Sequence, residues 1–325
     1  MSENNGKLII GFDHQQQWFG GFGDRVLGII NSKLIAKLLE RDFKIHWTKE
    51  NIKEYIDYSK FDIEINNTIN YKVFNLIDCL NITKQIEILK LIKSCDKNHN
   101  IKLWLNQNLA KQLYYLLLKE NNFNNDILNE YKILYTKILK PTKYSLNKIN
   151  NLVNNKEYII GIQIRCGADA KMLNNKTQSE INRHHNKYAT PTWSHISQTQ
   201  NLNTEISEIF NNIKNKCKNK YNKYYVFITS DYTFYNIDDI YILGSQVWDK
   251  EQILYLNEPA QHIDRPPIGD FSKFYIDNYI LSQYTQEIYF TPTSNYGKIA
   301  ALSCNHNELY SIHDVNLKVS KSDLF

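Results

Sequence analysis

A chain of 325 residues is long enough for two domains of ordinary size, each with its own core. Hydrophobic residues make up 42% and charged residues 22%, which fits a globular protein and excludes a disordered one. The net charge of +5, from 39 basic and 34 acidic residues, is spread along the sequence, so no basic stripe marks a nucleic-acid binder.

The first predicted element is a strand, Leu8 to Phe12, followed by a loop ending in Gly20-Gly21-Phe22-Gly23-Asp24-Arg25. Ile30, Leu34 and Leu38, with Ile29 and Leu39, then recur at helical spacing. Phe43 to Trp47 reads as a second strand, completing the opening βαβ unit of a doubly wound sheet. From Thr83 to Lys137 the pattern is mostly helical, with Ile86, Leu89 and Ile92 near one face. Pro141 and the polar stretch 147–156 form the predicted linker between two domains, 1–150 and 151–325. The second domain opens with Tyr158 to Arg165, whose β-branched residues mark a central parallel strand. A helix over 203–218, a strand from Tyr224 to Thr229, a helix over 271–284, a strand from Glu287 to Thr291 and a helix from Asn295 follow. Segment 170–201, without periodicity and rich in Asn, His, Thr and Ser, is expected to be a loop over a cleft. The fold class is α/β, with two domains about that cleft.

Five cysteines (Cys79, Cys95, Cys166, Cys217, Cys304) without a Cys-x-x-Cys pair point to free thiols in a reducing compartment. Met1 to Lys7 has no apolar signal core, and no apolar run approaches the ~20 residues that span a bilayer. The expected location is cytoplasmic.

Ligands of open α/β sheets sit beyond the carboxyl ends of the strands, and a guanidinium at such an end suits a phosphate. Arg165 stands there, although an arginine that caps the sheet or pairs with a surface carboxylate fits the strand equally well. The glycine loop lies between a strand and a helix, where backbone N–H groups can meet an anion. It is not a P-loop, since Gly28 is followed by Ile29-Ile30. It also fits a dinucleotide fingerprint poorly, with Val26 in place of the third glycine and Trp47-Thr48 in place of the acidic residue. Asp24 can serve simply as an N-cap. Thr291-Pro292-Thr293-Ser294-Asn295 leads a strand into a helix, either as a phosphate cradle or as ordinary N-capping by Thr293 or Ser294. Thr229-Ser230-Asp231 is predicted on the same sheet edge.

Taken in order, these segments resemble the GDP-fucose-dependent fucosyltransferase superfamily, the branch with the α1,2-, α1,6- and protein O-fucosyltransferases. Gly20-Gly21-Phe22-Gly23-Asp24-Arg25 is similar to its first motif, and Gly161-Ile162-Gln163-Ile164-Arg165-Cys166 to its central Gly-Val-His-Val-Arg-Arg strand. Phe227 to Asp231, Asp277 to Ser282 and Thr291 to Ala300 are similar to its later motifs. The resemblance implies a GT-B architecture of two Rossmann-like domains, an N-terminal acceptor side and a C-terminal domain for GDP-fucose. It implies an inverting transfer of fucose to a hydroxyl of a glycan or glycosylated acceptor, with no cofactor and no metal. Arg165 would hold the β-phosphate. Asp277, Thr293, Ser294 and Asn295, with Ser230 and Asp231, would bind the donor, and Gly21, Phe22, Gly23, Asp24 and Arg25 would meet it from the other domain.

The sequence departs from the motif at Gln163, where the family has histidine, and at Cys166, where many members have a second arginine. The acidic residue that often follows is displaced to Asp169, the candidate base by position, although a surface carboxylate reads nearly as well. His184, His185 and His195 are candidate acceptor contacts or plain exposed histidines. No clear Asp-x-Asp metal motif is present, and Asp238-Asp239 reads as a solvated turn. Two other readings stand beside this one: a non-catalytic sugar-nucleotide or glycan-binding protein on the same fold, and a nicotinamide-dependent oxidoreductase.

Overall fold

The computed structural model describes residues 6–13, 19–47, 52–57, 70–77, 79–113, 123–165, 202–230, 239–258 and 272–324. The chain forms two compact units, one running to Leu146 and one over Asn147–Leu324.

In the first unit, β1 (Lys7–Gly11) places Leu8, Ile9 and Ile10 in the core without exposure, as an inner strand covered on both faces requires. Gly20 then takes φ +75°, a backbone that favours glycine, and turns the chain into α1 (Phe22–Leu38). The Gly21 N–H donates to Asp24 Oδ2 at 2.8 Å, so the carboxylate satisfies a first-turn donor from inside the helix. Strands β2 (Asp42–His46) and β3 (Tyr71–Asn75) follow, then α2 (Ile82–Lys93), capped by Asn81, whose side chain accepts from Lys84 N. Next come β4 (Asn100–Trp104), α3 (Ala110–Leu113), α4 (Phe123–Lys132) and α5 (Lys143–Val153). The sheet is parallel throughout, in the order β2-β1-β4-β3.

The second unit builds another parallel sheet. Its elements are β5 (Ile159–Ile164), α6 (Leu202–Lys218), β6 (Tyr225–Ser230), α7 (Asp239–Ser245), β7 (Ile253–Leu254), α8 (Lys273–Gln283), β8 (Glu287–Phe290), α9 (Asn295–Ser303) and β9 (Leu309–Ser311). The strand order is β7-β6-β5-β8-β9. Ile160, Ile162 and Ile164 of β5 pack into one core cluster with Ile206, Phe210 and Ile213 of α6.

The described part of the stretch from Thr83 to Lys137 is mostly helical, with β4 interrupting it, whereas the predicted linker is largely α5. In α5, Ser145, Ile149 and Val153 are buried four residues apart, an amphipathic stripe that Asn and Lys dilute. The division between the units falls within this helix, as does the expected boundary after residue 150. Segment 170–201 lies outside the described residues. Among the described residues no helix is long and apolar enough to cross a membrane.

Candidate functional site

The strand order of the second unit reverses about β5. The chain steps from β5 through β6 to β7 on one side, then crosses to β8 and β9 on the other. Beyond the carboxyl ends of β5 and β8, the connections leave in opposite directions and open the crevice where doubly wound sheets bind ligands. Arg165 follows the last residue of β5, and the turn Thr291–Ser294 follows the last residue of β8.

These two ends are tied together. The Arg165 N–H donates to Thr291 Oγ1 at 3.0 Å, and the Thr291 N–H donates to Gln163 Oε1 at 3.2 Å. Gln163 is 3% exposed, and its amide oxygen lies against the first turn of α9. A Cβ at Gly297 would come within 2.5 Å of that oxygen, so a larger residue there would have to displace the Gln163 amide. Ser294 caps α9, its Oγ accepting from the Gly297 N–H at 3.5 Å. The result is a helix N-terminus set beside a strand-end arginine. Both favour a negative charge, the helix through its dipole and the arginine through its guanidinium fork. Helix α8 is bound to the same turn, because Asn278 Nδ2 donates to the Tyr296 carbonyl and the Tyr296 hydroxyl to that of Phe274.

On the other side of β5, Asp277 meets the end of β6. Its Oδ2 accepts from Thr229 Oγ1 at 2.7 Å and from Lys273 Nζ at 2.8 Å. Its Oδ1 is buried without a hydrogen-bond partner. Burial pushes the Asp277 carboxyl upward, and Lys273 and Thr229 only partly offset it. Lys273 is fixed in turn by the Leu256 carbonyl and lies over the Tyr255 ring. An unsatisfied buried carboxylate oxygen costs stability. Ser230 closes β6 opposite Ile164.

The second unit thus brings Arg165, Ser294 and Asn295 together at the switch point, with Asp277 and Ser230 at the neighbouring strand end, while Thr293 is exposed in the turn. Gly21 to Arg25 belong to the first unit. There Asp24 is held by the Gly21 N–H, and Arg25 is fully buried, its guanidinium over the rings of Trp47 and Phe12 at 5.1 and 5.6 Å. Asp169, Asp231, His184, His185 and His195 lie outside the described residues. Gln163, Gly297 and Lys273 were not among the predicted site residues. A glycine in the first turn of a helix, where it weakens helix propensity, was the available signal for a close approach.

Two parallel-sheet units of Rossmann type place the chain in the α/β class with GT-B-like architecture. Within that class it has the fold of fucosyltransferase structures. It is similar to a variant of Arabidopsis thaliana FUT1 in complex with GDP, at TM-score 0.56 and 14% identity over 95% of this chain and 71% of that one. It is also similar to NodZ α-1,6-fucosyltransferase soaked with GDP-fucose, at TM-score 0.50 and 13% identity over 92% of this chain and 93% of the other. No family model and no curated relative matches the sequence.

Proposed function

We propose that the protein is a glycosyltransferase that moves fucose from GDP-fucose to a hydroxyl of a glycan or glycosylated acceptor, with inversion and without a metal. The observation that carries this reading is the switch point, where Arg165 and the N-terminus of α9 are locked side by side through Thr291. Cleavage of a glycosidic bond passes through an oxocarbenium-like transition state, and here the departing group is a diphosphate. The dominant task is to stabilise charge growing on that group, and preorganised donors do so with no reorganisation. Arg165 supplies a cation on a backbone held by Thr291. The α9 terminus supplies a dipole, held in place by Gln163 and Gly297. Asp277, bonded to Thr229 at the end of β6, is proposed to help bind the nucleotide diphosphate. Asp169 is the proposed base for the acceptor hydroxyl. The fold shared with structures carrying GDP or GDP-fucose supports the same donor.

The test is turnover of GDP-fucose against a glycan array in the presence of EDTA, read by mass spectrometry. Transfer, or slow donor hydrolysis, is expected to persist in the chelator. GDP binding by calorimetry with no turnover on any acceptor would leave a non-catalytic sugar-nucleotide-binding protein and reject the enzyme.

A further inference from the structure

The first sheet has a switch point of its own. In the order β2-β1-β4-β3 the chain steps from β1 to β2 on one side and places β4 on the other, and ligands of such sheets sit beyond the carboxyl ends of these strands. Three strands send polar side chains there. Asp13 lies two residues beyond β1, His46 is the last residue of β2, and Lys102 and Trp104 belong to β4. The Asp13 carboxylate accepts from Lys102 Nζ at 2.5 Å on Oδ2 and from Trp104 Nε1 at 3.2 Å on Oδ1. Gly11, the last residue of β1, makes the room, since a Cβ there would come within 2.7 Å of Lys102 Cε and 2.8 Å of Asp13 Oδ1. Removing two charges from water costs about as much as their attraction returns, so the pair gains the fold little over an apolar contact.

His46 completes the cluster. Its side chain is 9% exposed, and its buried Nδ1 makes no hydrogen bond yet stands 3.4 Å from Asp13 Oδ2. A carboxylate only accepts, so the ring nitrogen that faces it is the one that carries the proton. Nε2, on the other side of the ring, is left with a lone pair. Asp13 is 24% exposed and keeps lone pairs beyond those that Lys102 and Trp104 use. The cluster thus offers two neighbouring acceptors, and Lys102 cancels their charge. That pairing suits adjacent hydroxyls of a neutral sugar, because an anion meets the carboxylate and a cation meets the ammonium. We propose that His46 and Asp13 form a sugar-hydroxyl site of the first unit, His46 Nε2 and the Asp13 carboxylate each accepting from one hydroxyl. The assignment rests on the donor reading above only for the further step that this sugar is the acceptor.

The experiment applies the full chain, without nucleotide, to an array of neutral oligosaccharides. Calorimetry then gives the affinities of the parent, His46→Phe and His46→Gln for the best-retained glycan and for GDP, with a thermal melt of each. One hydrogen bond to a sugar hydroxyl corresponds to about tenfold in affinity. His46→Phe is expected to lose that much for the glycan and nothing for GDP. His46→Gln, whose amide reaches the place of Nε2, keeps most of the glycan affinity. Nitrogen-15 NMR of the parent should show the Nδ1–H tautomer at His46, with an Nε2 signal that shifts when the glycan is added. Unchanged glycan affinity in His46→Phe, or an Nε2–H tautomer in the parent, overturns the assignment. Equal losses in both variants with lowered melting temperatures mark a structural histidine and overturn it too. A parent that binds GDP but holds no glycan on the array overturns the sugar site and leaves the donor reading standing. Glycan binding without GDP binding does the reverse.

Discussion

Beyond the carboxyl ends of the first sheet, Asp13 accepts from Lys102 Nζ at 2.5 Å and from Trp104 Nε1 at 3.2 Å, with His46 Nδ1 at 3.4 Å. Beyond the corresponding ends of the second sheet stand Arg165 and the α9 terminus, and the nearby Asp277 already has its own lysine. In the first cluster the Asp13 carboxylate has the Lys102 ammonium as its opposite. The second edge sets an arginine beside a helix N-terminus, an arrangement that favours a negative charge. Similar sheets thus end in different chemistry, and the difference lies in a few side chains at the last residue of each strand.

The largest expected effect on this contrast comes from Arg165→Ala. If Arg165 holds the departing diphosphate, kcat/KM for GDP-fucose falls by roughly 100- to 1000-fold. The melting temperature should stay near that of the parent, since Arg165 is only partly buried. Full activity in this variant would remove the arginine from the diphosphate site.

Asp13→Asn tests the other edge. Burial pushes the Asp13 carboxyl up, but His46 and Lys102 overcome this and hold it well below the usual carboxylate range. A carboxyl with a depressed folded pKa stabilises the fold above its unfolded value, near pH 4, and loses that contribution as the pH falls toward the folded value. The variant should therefore cost about 2 kcal/mol at neutral pH, with the gap from the parent narrowing below about pH 4. Denaturant melts from pH 7 to pH 3 read this directly, and GDP affinity should not move. A gap that is constant with pH would mean that the cluster is not ionic.

The smallest expected effect is that of Gly297→Ala. The new Cβ meets the Gln163 amide oxygen and must push it off the Thr291 N–H. Alanine favours the helix while the lost bond opposes it, so stability should change by less than about 1 kcal/mol. GDP affinity should drop by about tenfold, because the donor group has moved rather than vanished. Unaltered affinity would show that Gln163 does not set the position of α9.

The sequence made the second unit more legible than the first, and the reason is packing. β5, β6 and β8 are covered on both faces, so Ile159 to Ile164 and Val226 to Ile228 form apolar runs that can mean little else. β4 alternates, and Lys102 at its centre looks like a surface residue until Asp13 is seen beside it, 89 residues away. β3 is an edge strand with Val73 exposed, and β7 has only two residues. Both are too weak for periodicity to find. At the site, Arg165 and the Thr291 turn were visible as strand ends, since position along a strand is a local property. The bond from Gln163 to Thr291 spans 128 residues, and Gln163 showed only as a departure from the motif's histidine.

The position of β5 has a consequence for how the chain is made. Its neighbour β8 pairs with it across a long stretch of sequence, Ile159 donating to the Gln286 side chain 127 residues later. The first unit can close as soon as its last helix leaves the ribosome. The central strand of the second must instead keep one edge bare through most of the synthesis that follows. Parallel pairings of such long range form slowly, and an unpaired apolar edge is open to aggregation. Chaperone dependence should fall mainly on the C-terminal half, and a stalled chain ending before α8 would carry a finished first unit attached to an exposed strand.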